Sequence, residues 1–100
     1  CSMPYVFIRQ KIEDYPKWKA GFDSDVDARQ TGGSTSAQVF RDADDSHVVS
    51  ILLEMKDMES LQNMMQRMQT AEMQELMKKA GVIGAPEAVY IFGSVEETSA

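Results

Sequence analysis

The chain carries one cysteine, one histidine and one tryptophan in 100 residues. No apolar run approaches the ~18 residues that a membrane span needs. Each shortage removes a class of protein. A single thiol, Cys1, allows no internal disulfide and suits a reducing cytoplasm. Ten Lys and Arg against sixteen Asp and Glu give a net charge of −6, which repels nucleic acid and anionic lipid. One imidazole without a second thiol offers no metal-ligand set. CxxC pairs, paired acid–base carboxylates and a Ser/His/Asp order are absent, and Gly32-Gly33 follows a helical pattern where a phosphate cradle precedes one. The expectation is a cytoplasmic protein with no metal or other cofactor, no nucleic-acid partner and no membrane. Cys1-Ser2 reads as a cloning remnant ahead of Met3, with residues 1–4 as lead-in and no signal peptide. The rival, an acylated lipoprotein cysteine, has no tether before the first strand.

What remains is patterned. "YVFIRQKI" (5–12) alternates as a strand, with Val6, Ile8 and Ile12 on one side and Tyr5, Phe7, Arg9 and Lys11 on the other. From Asp14 the period becomes helical. Asp14 is the N-cap, Pro16 lies in the first turn, and Trp18, Phe22, Val26 and Arg29 follow at helical spacing before the glycines, which makes one amphipathic helix of about four turns. "STSAQVFRD" and "HVVSILLEM" flank the polar turn "ADDS" as a hairpin. A second helical stretch starts at the N-cap Asp57, with Thr70 able to restart or bend it, and ends at Gly81 beside Lys78 and Lys79. "EAVYIFGSV" is the last strand, and 94–100 form a tail.

The order β-α-β-β-α-β defines an α+β, ferredoxin-like domain with a four-stranded antiparallel sheet, covered by helices on one face. One strand face collects Val6, Ile8, Ile12, Ala37, Val39, Val49, Ile51, Leu53, Val89 and Ile91, the partner of Trp18, Phe22, Leu61 and the methionines. The other mixes Tyr5, Phe7, Phe40, Val48, Leu52, Tyr90 and Phe92 with Arg9, Gln38, Ser50 and Glu54. Its five aromatic rings amount to on the order of 1,000 Å², beyond the ~300–600 Å² patch that a soluble monomer tolerates. A second copy of the same sheet, packed face to face, is the expected cover. Phe7, Phe40, Leu52, Tyr90 and Phe92 are the expected dimer interface. The alternative is a curved sheet with scattered exposed aromatics.

"DYPKWKAGFD", "ARQTGGSTSAQVFRDADDSHVVSILLEM" and "MKKAGVIGAPEAVYIF" resemble, in order and spacing, the dimeric α+β barrel superfamily of antibiotic biosynthesis monooxygenase-like and small polyketide cyclase-like proteins. The resemblance runs from about Tyr5 to Phe92. It implies a homodimer and a ligand cleft between helices and sheet, used by cofactor-free oxygenases, cyclases and isomerases on small aromatic or polyketide-like molecules. Haem-degrading members carry a histidine on the second helix, and no histidine stands between Asp57 and Gly81. The function so implied is small-molecule binding in secondary or aromatic metabolism, monooxygenase-like or cyclase-like. The alternatives are a non-catalytic binding or sensing protein and a structural homodimer module, so enzyme status stays open.

Several residues are candidates for a site. His47 is the sole imidazole and the one side chain that ordinarily titrates near neutrality. On strand parity it faces the helices, near Arg41, so His47 could move a proton while Arg41 steadies an oxyanion. The competing reading is a solvated histidine bonded to an Asp of the turn. Tyr15, Trp18 and Phe22 could wall a flat ligand or simply pack. Arg29 could bind a ligand carboxylate or pair with acidic neighbours. Met55, Met58, Met64, Met65, Met68, Met73 and Met77 either fill the core or give a pocket soft walls, with Met64 and Met68 the candidates for ligand contact.

Overall fold

The computed structural model describes residues 3–100. Cys1 and Ser2, and with them the reading of a cloning remnant, lie outside the described residues. Strand β1 (Tyr5–Lys11) leads into helices α1 (Tyr15–Ser24) and α2 (Val26–Thr31). The hairpin β2 (Ser34–Arg41) and β3 (Val48–Met55) follows, then helices α3 (Met58–Met68) and α4 (Ala71–Lys79), and finally β4 (Ala88–Phe92). The sheet order is β2-β3-β1-β4, antiparallel throughout. This is the α+β, ferredoxin-like arrangement expected from the sequence.

Register places Val6 opposite Leu53 and Ile91, and Ile8 opposite Ile51 and Val89. One face of the sheet therefore presents Val6, Ile8, Val49, Ile51, Leu53 and Met55, which join Ile12, Trp18 and Leu61 in the buried core. Tyr15, Phe22, Met64, Met65 and Met68 pack against this cluster. Leu61 and Trp18 are the points at which the two helical layers are pinned to the sheet, and truncating a fully buried Leu costs about 2–5 kcal/mol.

Each helical stretch is broken in two. Asp14 caps α1 by accepting from the Lys17 N–H at 3.0 Å, but the helix stops at Ser24. The Ser24 hydroxyl donates to the Gly21 carbonyl at 2.7 Å, and the Asp-Ser-Asp run supplies side chains that compete with the helical ladder. The single four-turn helix predicted from Asp14 to the glycines is thus two helices meeting at Asp25, and Val26 is exposed. The second break falls at Thr70, whose hydroxyl oxygen accepts from the Met73 N–H at 3.3 Å and so starts α4. Asp57 caps α3 through the Ser60 N–H at 2.7 Å. Gly81, at φ +83°, ends α4 beside Lys78 and Lys79.

The helices bury the two central strands more fully than the edge strands, of which Val39 on β2 packs partly against the core. Ala37 on β2 and Val89 and Ile91 on β4 belong to the helix-facing side by register, yet all three are exposed. They are not core residues as expected. Gln10, by contrast, sits on the core face opposite Val49 and is buried. Its amide donates to the Ile83 carbonyl at 3.2 Å and to the Lys11 carbonyl at 3.0 Å.

Candidate ligand-binding cavity

Between the sheet and the four helices lies a cavity of about 500 Å³. Its floor is Ile8, Ile51 and Leu53 from the sheet; α1 contributes Trp18 and Phe22, and α3 and α4 contribute Met64, Met68, Met73 and Met77. The helices enclose this space because the alternating strands offer a flat apolar surface while the broken helices cannot cover it continuously. Helices α1 and α4 approach closely where Gly21 faces Ala80. A second cavity of about 690 Å³ lies toward β4, between Met65, Gln74, Pro86 and Val89. Ile8, Gln10, Met68, Met77 and Val82 border both. Unbranched thioethers make that partition deformable.

The charged residues of the first cavity's lining are Asp25, Arg29, Arg67, Lys17 and Lys79. Arg67 binds Asp25 through two nitrogens, at 3.0 and 3.2 Å. This hydrogen bonding to Asp25 holds the Arg67 guanidinium pKa above its usual value. Arg29 differs. Its guanidinium carbon lies 3.7 Å from the centre of the Phe22 ring, a cation–π contact, and one nitrogen donates to the Phe22 carbonyl. Burial lowers its pKa, opposed by the fields of Asp25 and Asp23 and aided by nearby Arg67. A guanidinium remains charged nonetheless.

Five of the residues singled out in the sequence form one row. Arg41 stands 4.1 Å over the Tyr15 ring, Tyr15 and Trp18 are 6.0 Å apart, Trp18 and Phe22 5.0 Å, and Arg29 caps the far end. Trp18, Phe22, Arg29, Met64 and Met68 line the cavity; Tyr15 stands behind Trp18, outside the lining. Arg41 and His47 do not line it either. His47 is exposed, because β3 begins only at Val48 and strand parity does not extend to position 47. The Asp45 carboxylate accepts the His47 N–H at 2.8 Å, and the ring nitrogen Nδ1 meets the Glu13 carbonyl at 2.8 Å.

Sequence reasoning passed over Gln10, Asp25, Arg67 and the Gly21–Ala80 approach. Two of them had a signal. Gln10 shares the parity of Val6, Ile8 and Ile12, and Arg67 falls three residues after Met64 and beside Met68, on the same helix face. Asp25 and Gly21 carry no comparable mark, since their roles depend on where α3 and α4 dock.

The opposite sheet face is open. Phe40, Tyr90 and Phe92 are 48%, 57% and 45% exposed, and Phe7 stacks on Tyr90 with ring centres 6.2 Å apart. Two charged side chains there, Arg9 and Glu54, have partners within the chain. Arg9 binds Asp42 at 3.0 Å and Glu87 at 3.1 Å, and Glu54 accepts from the Tyr5 hydroxyl and, at 2.6 Å, from Thr35.

No family model and no curated protein matches the sequence. Solved structures do match in shape. SnoaB, a cofactor-independent oxygenase from Streptomyces nogalater, superposes with a TM-score of 0.70 at 10% identity, over 97% of each chain. A protein of Bordetella bronchiseptica assigned as an antibiotic biosynthesis monooxygenase gives 0.71 at 14% identity, over 96% of this chain and all of that one. A dimeric ferredoxin-like protein from an uncultured marine organism gives 0.58 at 11% identity, over 100% of this chain and 94% of that one. The fold is therefore the ferredoxin-like, antibiotic biosynthesis monooxygenase-like α+β fold. At these identities the likeness defines architecture, not chemistry.

Proposed function

We propose that the protein is a homodimer that binds a small planar aromatic or polyketide-like molecule in the cavity between helices and sheet and oxygenates it without a cofactor. The observation that carries the reading is the cavity itself: about 500 Å³, walled by Trp18, Phe22 and four methionines, with Asp25, Arg29, Arg67, Lys17 and Lys79 as its charged lining residues. Such a site desolvates a flat apolar body and orients it through few polar contacts. SnoaB, of the same shape, is a cofactor-independent oxygenase. Titrating the protein with phenols, quinols and polyketide mimics while following Trp18 fluorescence tests binding; oxygen uptake with the tightest binder tests the reaction. A panel that neither quenches Trp18 nor raises the melting temperature removes the reading.

The dimer rests on the open sheet face. Its aromatic centre is too apolar to leave in water, while Arg9 is already paired with Asp42 and Glu87 and Glu54 already accepts from the Tyr5 and Thr35 hydroxyls, which reduces the desolvation cost of covering them with a second copy. A ferredoxin-like protein of similar shape is dimeric, which is in keeping with a homodimer.

A second reading is a binding or sensing protein without chemistry. What favours it is that, among the described residues, no imidazole or thiol lines the cavity and the one carboxylate that does, Asp25, is held by Arg67. Should the reaction require proton transfer, His47 with Arg41 is the proposed pair. A ligand would reach them by extending past Trp18 along the row to Tyr15.

A further inference from the structure

The chain as a whole is acidic, yet the cavity is bordered by four cations and one carboxylate. Three of these five charges are already engaged: Arg67 with Asp25 at 3.0 Å, and Lys17 with Glu13 at 3.0 Å. Arg29 has no carboxylate within 4.0 Å among the described residues, whereas Arg9 and Arg67 each do. The two acids whose fields reach Arg29 are committed elsewhere, Asp25 to Arg67 and Asp23 to Lys19 at 2.7 Å. Its guanidinium is partly desolvated and held over Phe22, with one donor used on the Phe22 carbonyl. The other N–H groups of its fork have no protein acceptor among the described residues. A positioned, underused guanidinium at the edge of an apolar aromatic cavity is an oxyanion receptor.

We propose that Arg29 anchors one anionic oxygen group of the ligand, a carboxylate or a phenolate or enolate oxygen, so that the site selects aromatic anions over neutral aromatics of equal shape. The anion takes the free edge of the guanidinium while its ring system lies against Trp18, Phe22 and the methionines. Lys79, which also lines the cavity, adds long-range attraction. This inference rests on the cavity being the ligand site and adds the ligand's charge.

The test compares 2-naphthoate with the uncharged, nearly isosteric 2-naphthamide, by calorimetry and Trp18 quenching, on the wild type, Arg29→Gln and Arg29→Lys. The wild type should prefer naphthoate at least about tenfold at low salt, and the preference should shrink as ionic strength rises. Arg29→Gln should abolish the preference by weakening naphthoate far more than naphthamide, while Arg29→Lys should keep part of it. Equal binding of both probes to the wild type overturns the inference and leaves the cavity reading standing. So does a preference that survives Arg29→Gln intact. Binding of neither probe overturns both. The wild-type comparison decides the matter even where a variant folds poorly.

Discussion

A Cβ placed on Gly21 would lie 2.7 Å from the Cβ of Ala80, a separation that real Cβ atoms do not adopt, so α1 and α4 are as close as a glycine permits. Both residues line the cavity, and the contact sets how far the helices stand apart around it. Gly21→Ala should therefore force the helices outward and destabilise the protein by about 1–3 kcal/mol through overpacking, despite alanine's better helix propensity. Adding Ala80→Gly should restore most of the loss, because position 80 caps α4 and tolerates glycine. Urea midpoints for the two single variants and the double variant check this. Additive losses in the double variant would mean that the two helices yield independently.

The open sheet face makes its own demand. Leu52 stands opposite Phe7 on β1 and Gln38 on β2, in the middle of the aromatic field, so Leu52→Glu should convert a dimer to an 11.2 kDa monomer by burying an unpaired charge. Phe40→Glu should do the same. Sedimentation at ~50 µM, far above the dissociation constant of a standard interface, checks both. A wild type that sediments as a monomer, or a fully dimeric Leu52→Glu, defeats the face-to-face arrangement.

These two predictions show what the sequence carried and what it did not. Strand parity separated Val6, Ile8, Ile51 and Leu53 from Phe7, Phe40 and Leu52, because alternation is a local property of an extended chain. The caps at Asp14, Asp57 and Thr70 were readable for the same reason. Parity failed at His47, where the Asp45 carboxylate takes the backbone N–H and turns the chain out of the strand. It was incomplete for Ala37, Val89 and Ile91, whose side was right but whose burial depended on helices too short to reach the sheet edges. The pairing of Asp25 with Arg67, 42 residues away, arises from docking, which no local pattern encodes, whereas the break at Asp25 had a local mark in the Asp-Ser-Asp run. The aromatic row from Arg41 to Arg29 lies between these extremes: its members were singled out one by one, but only the fold aligns them.

Acid should weaken the protein through three carboxylates. The Ser60 backbone and hydroxyl hold Asp57 below its ordinary value, Arg9 and then the Asp44 backbone do so for Asp42, and Thr35 followed by Tyr5 for Glu54. A folded-state pKa below the unfolded one gives stability that is complete above the unfolded value, near 4, and is lost as pH falls through the folded value. Tyr5 has the opposite sign. Its bond to Glu54, and then burial, raise the phenol above 10, so that contribution is complete below pH 10 and fades as pH rises beyond the folded value. Tyr5→Phe should shrink both limbs of the stability profile, while Asp57→Asn should shrink the acid limb alone. Denaturant midpoints from pH 2.5 to 11 measure this, and an acid limb of unchanged depth in Asp57→Asn would assign the acid sensitivity to other groups.

The remaining prediction concerns whether the row of rings leads to chemistry. His47 and Arg41 border the start of α1, the first through the Glu13 carbonyl and the second over Tyr15, and neither lines the cavity. Substitution at either position should therefore leave the affinity for naphthoate unchanged, whatever happens to turnover. If a long substrate extends past Trp18 and the imidazole exchanges its proton, His47→Gln should lower kcat by ~10²–10⁴-fold, and Arg41→Gln should lower it further by withdrawing a charge from the developing oxyanion. Oxygen uptake and product formation by the wild type and both variants, with and without oxygen, separate the cases. Unchanged turnover in both variants takes the pair out of the mechanism and leaves the proton to Asp25 or the lysines of the cavity, to solvent, or to a substrate that reacts already ionised.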